Sequence, residues 1–154
     1  MQAMVEKYSY IGERGKRIVS WDHAKYVNHC CNCNTLSTGY GFEIALRDIL
    51  PGEEITDEYG LFNLNQTMQL HCAQPNCRGR VVPRDFELWA DTWDQWAVEA
   101  LRFLPLVHQP LYVLLDCDTR NRLEGYLGGQ MPYISVRCLC PTSETTLNDP
   151  NVAA

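Results

Sequence analysis

The sequence has no long hydrophobic run and no excess of basic residues. No stretch approaches the roughly 20 consecutive apolar residues that a membrane-spanning helix requires. The first seven residues, MQAMVEK, lack the apolar centre of a signal peptide. The net charge is −6, whereas a protein that binds nucleic acid directly usually presents a basic face. We therefore expect a soluble, intracellular protein of the cytoplasm, with the nucleus as the alternative, and no membrane or nucleic-acid partner. The acidic surface suits a basic partner, but it also serves ordinary solubility.

Cysteine, in contrast, is abundant, with eight residues in a chain of 154, and its distribution is uneven. The cysteines occupy positions Cys30, Cys31, Cys33, Cys72, Cys77, Cys117, Cys138 and Cys140. In an intracellular chain, clustered cysteines are more typical of metal binding or of reactive thiols than of disulfides. The last two lie in a segment with the pattern of a strand, so we expect them to be buried thiols.

The first half of the chain has the short alternating runs of a β-rich structure. Residues 7–20 predict a hairpin that turns at 12–15, where two glycines flank a charged pair. A short helical turn is expected over 22–26. A second strand pair is predicted between 40–46 and 54–56. The Pro-Gly dipeptide at 51–52 forms the turn between them, because proline fixes φ and glycine tolerates a positive φ.

From Pro83 onward the apolar residues follow a helical period. One stripe contains Trp93, Trp96, Ala97, Ala100, Leu101 and Leu104. Thr92 and Gln95 fit a capping box at the start of this helix, and Pro105 would end it. Tryptophans at helical spacing are far more often core residues than ligand contacts, so we expect this stripe to be buried.

Two shorter helices are predicted over 110–115 and 119–126, with glycines as stop signals. The polar stretch 141–154 is expected to be disordered. The chain is thus divided into a β-rich first half and a helical second half, which predicts an α+β fold.

Three segments stand in a fixed order along the chain: KYVNHCCNCN at 25–34, GEEITDEYG at 52–60 and HCAQPNCRG at 71–79. Each alone is a modest signal. In this order and at this spacing they resemble the SET domain family of S-adenosylmethionine-dependent protein-lysine methyltransferases. The corresponding family patterns are R-F-x-N-H-S-C-x-P-N, G-E-E-L-T-x-D-Y and the post-SET pattern C-x-C-x4-C-R-G. The resemblance covers about residues 7–80.

The resemblance implies a fold and a division of the chain. We expect the C-terminal part of a SET β-clip, with small curved β-sheets and pseudo-knot-like threading, followed by a helical extension. The partial SET domain would span 7–80, with a post-SET-like cysteine segment at about 65–80. The helical extension would span 83–140, and the disordered tail would follow at 141–154.

The resemblance also implies a reaction, the transfer of a methyl group from S-adenosylmethionine to a lysine of a basic protein or peptide. Asn28 and His29 would hold the cofactor, and Tyr59 would be the catalytic residue and a further cofactor contact. The reaction needs positioning above all, together with an apolar channel that lowers the lysine pKa. Asp57 and Glu58 replace an aromatic residue and an aspartate of the family, which predicts either a more acidic channel wall or a solvated face.

The resemblance further implies a structural zinc ion, held by Cys31, Cys72 and Cys77 as three thiolate ligands of a tetrahedral site. Leu70 occupies the position of the family's remaining cysteine. The fourth ligand would then come from a neighbouring residue: His71, Cys30 or Cys33. The alternative is a metal-free loop with reduced thiols.

One family feature does not occur before Asn28. The 27 preceding residues contain no Gly-x-Gly segment of the kind that contacts the cofactor, which predicts either a fragment or a degenerate relative. We expect the 154-residue chain alone to bind S-adenosylmethionine weakly and to show little or no methyl transfer, and an added upstream segment to restore both. Two other functions stay open: a non-catalytic protein-interaction module on a SET scaffold, and a small structural zinc domain.

Overall fold

The protein is described by a computed structural model that covers residues 5, 8–12 and 16–140. Its eight strands are β1 (Ser9–Ile11), β2 (Arg17–Val19), β3 (Asn28–His29), β4 (Thr35–Ser37), β5 (Glu43–Ala45), β6 (Thr56–Asp57), β7 (Met68–Gln69) and β8 (Arg80–Val81). Two α-helices follow, α1 (Asp85–Leu101) and α2 (Cys117–Leu127). Within the described part of the chain the strands form two-stranded sheets, so the predicted α+β class is confirmed. The pseudo-knot-like threading stays a prediction.

The predicted N-terminal hairpin is present. Strands β1 and β2 pair antiparallel, with Ser9 opposite Val19. Residues 13–15 of its turn lie outside the described residues. The helical turn is also present as a 3-10 helix, His23–Tyr26. It begins at Asp22 because the carboxylate of Asp22 accepts a hydrogen bond from the Ala24 amide at 3.0 Å.

The predicted pairing of 40–46 with 54–56 is wrong. Strand β5 pairs antiparallel with β4, whereas β6 pairs in parallel with β3. The turn at 51–52 does form, and Gly52 has a φ of 84°. Residues 54–56 do not pair with 40–46, because the side chain of Asn34 forms hydrogen bonds with their backbone instead. Its amide donates to the Glu54 carbonyl at 2.9 Å, and its oxygen accepts from the Thr56 amide at 2.8 Å.

Helix α1 is longer at its start than the sequence pattern predicted. Thr92 lies in its interior, so the capping box at Thr92 is wrong. The helix begins at Asp85, whose carboxylate accepts from the Val82 amide at 3.2 Å. The helix also ends at Leu101 without the help of Pro105, which lies in a separate 3-10 helix, Leu104–Leu106.

Most of the predicted stripe is buried and packs α1 onto the first half of the chain, but Trp96 and Leu104 are half-buried and Leu104 lies beyond the end of the helix. Trp93, Ala97 and Leu101 are fully buried. Trp93 shares a hydrophobic cluster with Leu36 and Leu61. It also closes tightly over Gly60, where an added Cβ would lie 2.6 Å from the Trp93 ring. The helix therefore fixes the backbone next to Tyr59.

The end of the described chain is fastened to the same helix by Asp94. Its carboxylate accepts from the Tyr133 hydroxyl at 2.9 Å, the Ser135 hydroxyl at 2.5 Å and the Val136 amide at 2.8 Å. The segment that follows is a 3-10 helix, Val136–Leu139, and not a strand. Cys138 and Cys140 are consequently exposed, which corrects the expected burial.

The two shorter helices are confirmed as a 3-10 helix, Tyr112–Leu114, and as α2. Asp116 caps α2, since its carboxylate accepts from the amides of Asp118 and Thr119, both at 3.0 Å. Across the described ranges, no helix combines the length and the apolar character needed to cross a membrane. The tail predicted to be disordered, 141–154, lies outside the described residues.

Candidate active site and thiol cluster

Tyr59 lies at the start of a 3-10 helix, Tyr59–Phe62. Glu58 caps this helix, because its carboxylate accepts from the Gly60 amide at 2.8 Å. The Tyr59 hydroxyl donates to the Val27 carbonyl at 2.6 Å. Burial raises the pKa of Tyr59, and the nearby carboxylates of Asp57 and Glu54 raise it further. The phenol therefore stays protonated and can act as a hydrogen-bond donor.

The parallel pairing of β3 with β6 brings His29 beside Tyr59. His29 lies opposite Asp57 in the register, and its Nδ1 accepts from the Tyr59 amide at 3.3 Å. The His29 side chain is only 2% exposed. Burial lowers the pKa of His29 to about 4, with the positive charge of Arg78 as the second cause. The imidazole is neutral at physiological pH.

Asn28 points in a different direction from His29, as adjacent residues of a strand do. It is exposed, and its side-chain amide donates to Glu54 at 2.6 Å. Of the two residues expected to contact the cofactor, Asn28 therefore presents an exposed amide, whereas the ring of His29 is buried. Tyr59 connects the two, since its hydroxyl binds the residue before Asn28 and its amide binds His29.

A cavity of about 600 Å³ opens beside Tyr59. Its wall is largely apolar and aromatic and includes Tyr10, Phe42 and Phe62. Tyr59 lines this cavity, whereas Asn28 and His29 are not among the lining residues that the structure describes. Tyr59 is thus the single predicted site residue on the cavity wall.

Two acidic residues, Glu43 and Asp57, also line the cavity. Their carboxyl groups hydrogen-bond to each other, and the Ser37 hydroxyl donates to Glu43. Burial raises the pKa of Asp57 to about 8, with the charge of Glu43 as the next cause. Burial likewise raises the pKa of Glu43. The pair therefore retains a proton near neutral pH. For Asp57, an acidic cavity wall is the better description than a solvated face.

Glu58 has another role, because it forms a buried ion pair with Arg78. One guanidinium nitrogen of Arg78 donates to both oxygens of Glu58, at 2.6 and 2.7 Å. A second nitrogen contacts Asp85 at 3.3 Å. The guanidinium also lies 5.3 Å from the ring centroid of Trp89. Arg78 thus connects the residue that caps the Tyr59 helix to the start of α1.

Sequence reasoning missed Arg78 and Glu43. Arg78 had a signal, since it is the arginine of the C-R-G pattern, although nothing in that pattern names its partner. Glu43 had no such signal in the sequence. It is a strand residue, and its contact with Asp57 depends on the strand pairings β4–β5 and β3–β6.

The second group of predicted residues, Cys31, Cys72 and Cys77, forms a cluster. Their three sulfurs all lie within 4.8 Å of one another. The short sheet β7–β8 produces this arrangement, because it closes the loop that carries Cys72 and Cys77. Backbone amides surround the sulfurs: Arg78 donates to Cys31 at 3.3 Å, and Gly79 donates to Cys77 at 3.4 Å. Three converging thiols fit the donor set of a structural zinc ion.

The surroundings shift the pKa of two thiols of the cluster in opposite directions, and burial raises that of Cys31. Partial burial alone would raise the pKa of Cys72, but hydrogen bonds from the backbone of Cys31 and Gln74 outweigh it. Together with the thiols of Cys77 and Cys31, they lower the pKa of Cys72 to about 7. A thiolate, the form that binds metal, is therefore accessible near neutral pH.

The three candidates for a fourth ligand lie in different surroundings. His71 is exposed. Cys33 is buried, and burial raises its pKa strongly, with the carboxylates of Glu58 and Asp57 as further causes. Cys30 is buried against the cluster, and its thiol interacts with that of Cys72.

Comparison with known families supports the first part of this site. The family model of the SET domain matches residues 4–60, and the resemblance drawn from the motifs is confirmed over that segment. The matched segment contains Asn28, His29, Cys31 and Tyr59, and it ends before Cys72. No curated protein and no solved structure gave a significant match to the chain.

Proposed function

We propose that this chain carries the cofactor-binding and lysine-binding part of a SET-type protein-lysine methyltransferase. The reaction is methyl transfer from S-adenosylmethionine to a lysine side chain of a protein or peptide. The observation that carries the proposal is the position of Tyr59. It lies inside the segment matched by the SET family, contacts His29, and lines a largely apolar and aromatic cavity.

The cavity supplies the surroundings that the reaction needs. Apolar walls exclude water from a bound lysine, which favours loss of its proton. The Tyr59 hydroxyl is held at this wall by the hydrogen bond that it donates to Val27, so its oxygen can accept from the amine and orient it. Glu43 and Asp57 attract a cationic side chain into the cavity. This attraction favours a basic substrate. Because the two carboxyl groups share a proton, they carry less negative charge and stabilise the protonated form of the amine less strongly.

S-adenosylmethionine, when bound, supplies a methyl group on a positively charged sulfur. Asn28 and His29 would hold it, with the exposed amide of Asn28 as a direct hydrogen-bond partner. The position of Asn28 supports this role, because its neighbour Val27 is already bound to the Tyr59 hydroxyl. A cofactor held at Asn28 is thereby brought close to Tyr59.

A structural zinc ion belongs to the same proposal, with Cys31, Cys72 and Cys77 as ligands. Its support is the convergence of the three sulfurs. We assign the partial SET domain and its cysteine segment to residues 7–80, within a β-clip with pseudo-knot-like threading, and the helical extension to 83–140. Zinc would then fasten 71–79 to the strand that carries Asn28 and His29.

The test is a methyl-transfer assay with isotope-labelled S-adenosylmethionine and basic peptides that contain one lysine. The chain is assayed alone and together with a polypeptide that supplies a Gly-x-Gly segment. The expected result is label on the lysine peptide, greatest in the supplemented reaction, and none on the same peptide with arginine in place of lysine. Absence of transfer in both reactions, with the chain folded, would overturn the proposal.

One observation favours a second candidate, a non-catalytic interaction module. The Tyr59 hydroxyl and the Asn28 amide both make internal hydrogen bonds, to Val27 and Glu54. Groups used in this way stabilise a scaffold without any cofactor. This candidate predicts a folded chain that shows no transfer and whose melting temperature does not respond to S-adenosylmethionine.

A further inference from the structure

The thiol cluster of Cys31, Cys72 and Cys77 lacks one ligand for a closed zinc site. Structural zinc sites are almost always tetrahedral with four protein ligands. Leu70 stands where the post-SET pattern has its first cysteine, and a leucine cannot bind metal. A fourth donor must come from elsewhere in the chain if the site is to be closed. We propose that Cys30 is this donor and that it completes a four-thiolate site; the inference rests on the zinc ion of the proposed function.

The backbone places Cys30 next to the cluster. The Cys72 sulfur accepts from the Cys31 amide at 3.5 Å, so it lies against the peptide that joins Cys30 to Cys31. Cys30 is buried on this side, in the hydrophobic cluster against which Cys72 packs. The thiols of Cys30 and Cys72 also interact directly.

Closing the site requires a modest movement of the Cys30 sulfur. Cys30 is not part of the group whose sulfurs all lie within 4.8 Å of one another. In a tetrahedron with zinc–sulfur bonds of about 2.3 Å, neighbouring sulfurs are separated by about 3.8 Å. Zinc binding would therefore draw the four sulfurs together around the ion.

Three other donors lie nearby, and each is less suitable. His29 Nε2 lies 3.3 Å from the Cys31 sulfur. However, its Nδ1 accepts from the Tyr59 amide, so in the neutral ring Nε2 carries the proton and donates to Cys31. An Nε2 that carries a proton cannot bind zinc. Cys33 is buried beside the carboxylates of Glu58 and Asp57, whereas it is Cys30 whose thiol contacts that of Cys72.

His71, the third alternative, is exposed at the sequence position next to Cys72. The Cys30 sulfur, in contrast, is supported as the others are, because it accepts from the Asn32 amide at 3.4 Å.

The experiment measures the ligand set directly and does not depend on methyl transfer. The full chain is purified with zinc, its metal content is determined, and X-ray absorption at the zinc edge counts the sulfur ligands. The expected result is about one zinc with four sulfurs. Cys30→Ser should have three sulfurs and bind zinc at least about tenfold more weakly. Cys33→Ser is the matched control, a buried neighbouring cysteine whose loss should leave all four sulfurs in place.

Cys30→His provides a second variant, since imidazole also binds zinc. It should retain the metal with three sulfurs and one nitrogen. A wild-type site with three sulfurs and one nitrogen, or a Cys30→His spectrum identical to wild type, would overturn the role of Cys30 while the zinc proposal stands. Zinc-free wild-type protein would overturn both. Neither result would decide whether the chain transfers methyl groups, which the peptide assay tests separately.

Discussion

Asp57 illustrates how much a single residue changes the candidate site. The family has an aromatic residue at this position, and here a buried carboxyl group lines the cavity instead. It is 5% exposed and shares a proton with Glu43. The sequence showed the substitution but not its consequence, because the contact depends on two separate strand pairings. The sequence did not reveal the ion pair of Arg78 either, since its partner Glu58 lies 20 residues away.

The raised pKa of Asp57 predicts a pH-dependent stability. An unfolded aspartate ionises near pH 3.9, whereas folded Asp57 keeps its proton up to about pH 8. Between these values the folded state binds more protons, so the free energy of unfolding decreases as pH rises. Asp57→Asn removes this titration and preserves the acceptor for the Glu58 amide.

Denaturation with urea at pH 5 and pH 8 measures the effect. The stability of Asp57→Asn relative to wild type should increase between the two pH values, by at most about 1.4 kcal/mol per pH unit. Asp22→Asn, at an exposed position, is the control. Equal responses of wild type and Asp57→Asn to pH would show that Asp57 ionises normally in the folded protein.

At the scale of elements, helix α1 packs against the backbone next to Tyr59, through the contact of Trp93 with Gly60. Its position, its buried stripe and the two shorter helices were predictable, because apolar periodicity is a local signal. The strand pairing was not, because the side chain of Asn34 replaces a strand partner at Thr56. The start of α1 was also missed. A capping box at Thr92 fits the local pattern, but Phe86 and Ala90 extend the buried face toward the N-terminus.

The close contact between α1 and Gly60 leads to a second prediction. In Gly60→Ala the new Cβ meets the Trp93 ring, which is fully buried and cannot move away easily. Overpacking of this kind costs about 1–3 kcal/mol. Gly12→Ala is the matched control, because the atom nearest its Cβ is the flexible end of Ile18, an exposed side chain, and the Lys16 carbonyl lies at an ordinary contact distance of 3.7 Å. Chemical denaturation should show a clear loss for Gly60→Ala and a small change for Gly12→Ala; equal losses would contradict the packing described for Trp93.

At the scale of the whole molecule, the thiol cluster joins segments that are far apart in sequence. Cys31 follows strand β3, and Cys72 and Cys77 lie more than 40 positions later, between β7 and β8. The resemblance to the post-SET pattern was enough to predict which three cysteines converge. It could not identify a fourth ligand, which depends on the packing around Cys30.

Metal binding at this cluster should contribute to the stability of the whole fold, because zinc binds the folded arrangement and not the unfolded chain. Cys72→Ser is expected to lower both the zinc content and the melting temperature. A chelator should lower the melting temperature of wild type toward that of the variant. Cys117→Ser, an exposed cysteine on α2, should change neither. Identical zinc contents of wild type and Cys72→Ser would contradict a site at Cys72.

The most direct test of the proposed methyl transfer is the rate with Tyr59→Phe. This variant removes one hydroxyl from the cavity wall and leaves the ring in place. In the supplemented reaction with a lysine peptide, we predict a loss of about 100-fold or more in rate, or a change in the number of methyl groups added, while cofactor affinity changes little. Tyr112→Phe, in the helical extension, should behave as wild type. Unchanged rate and product in Tyr59→Phe would contradict the assignment of Tyr59 as the catalytic residue.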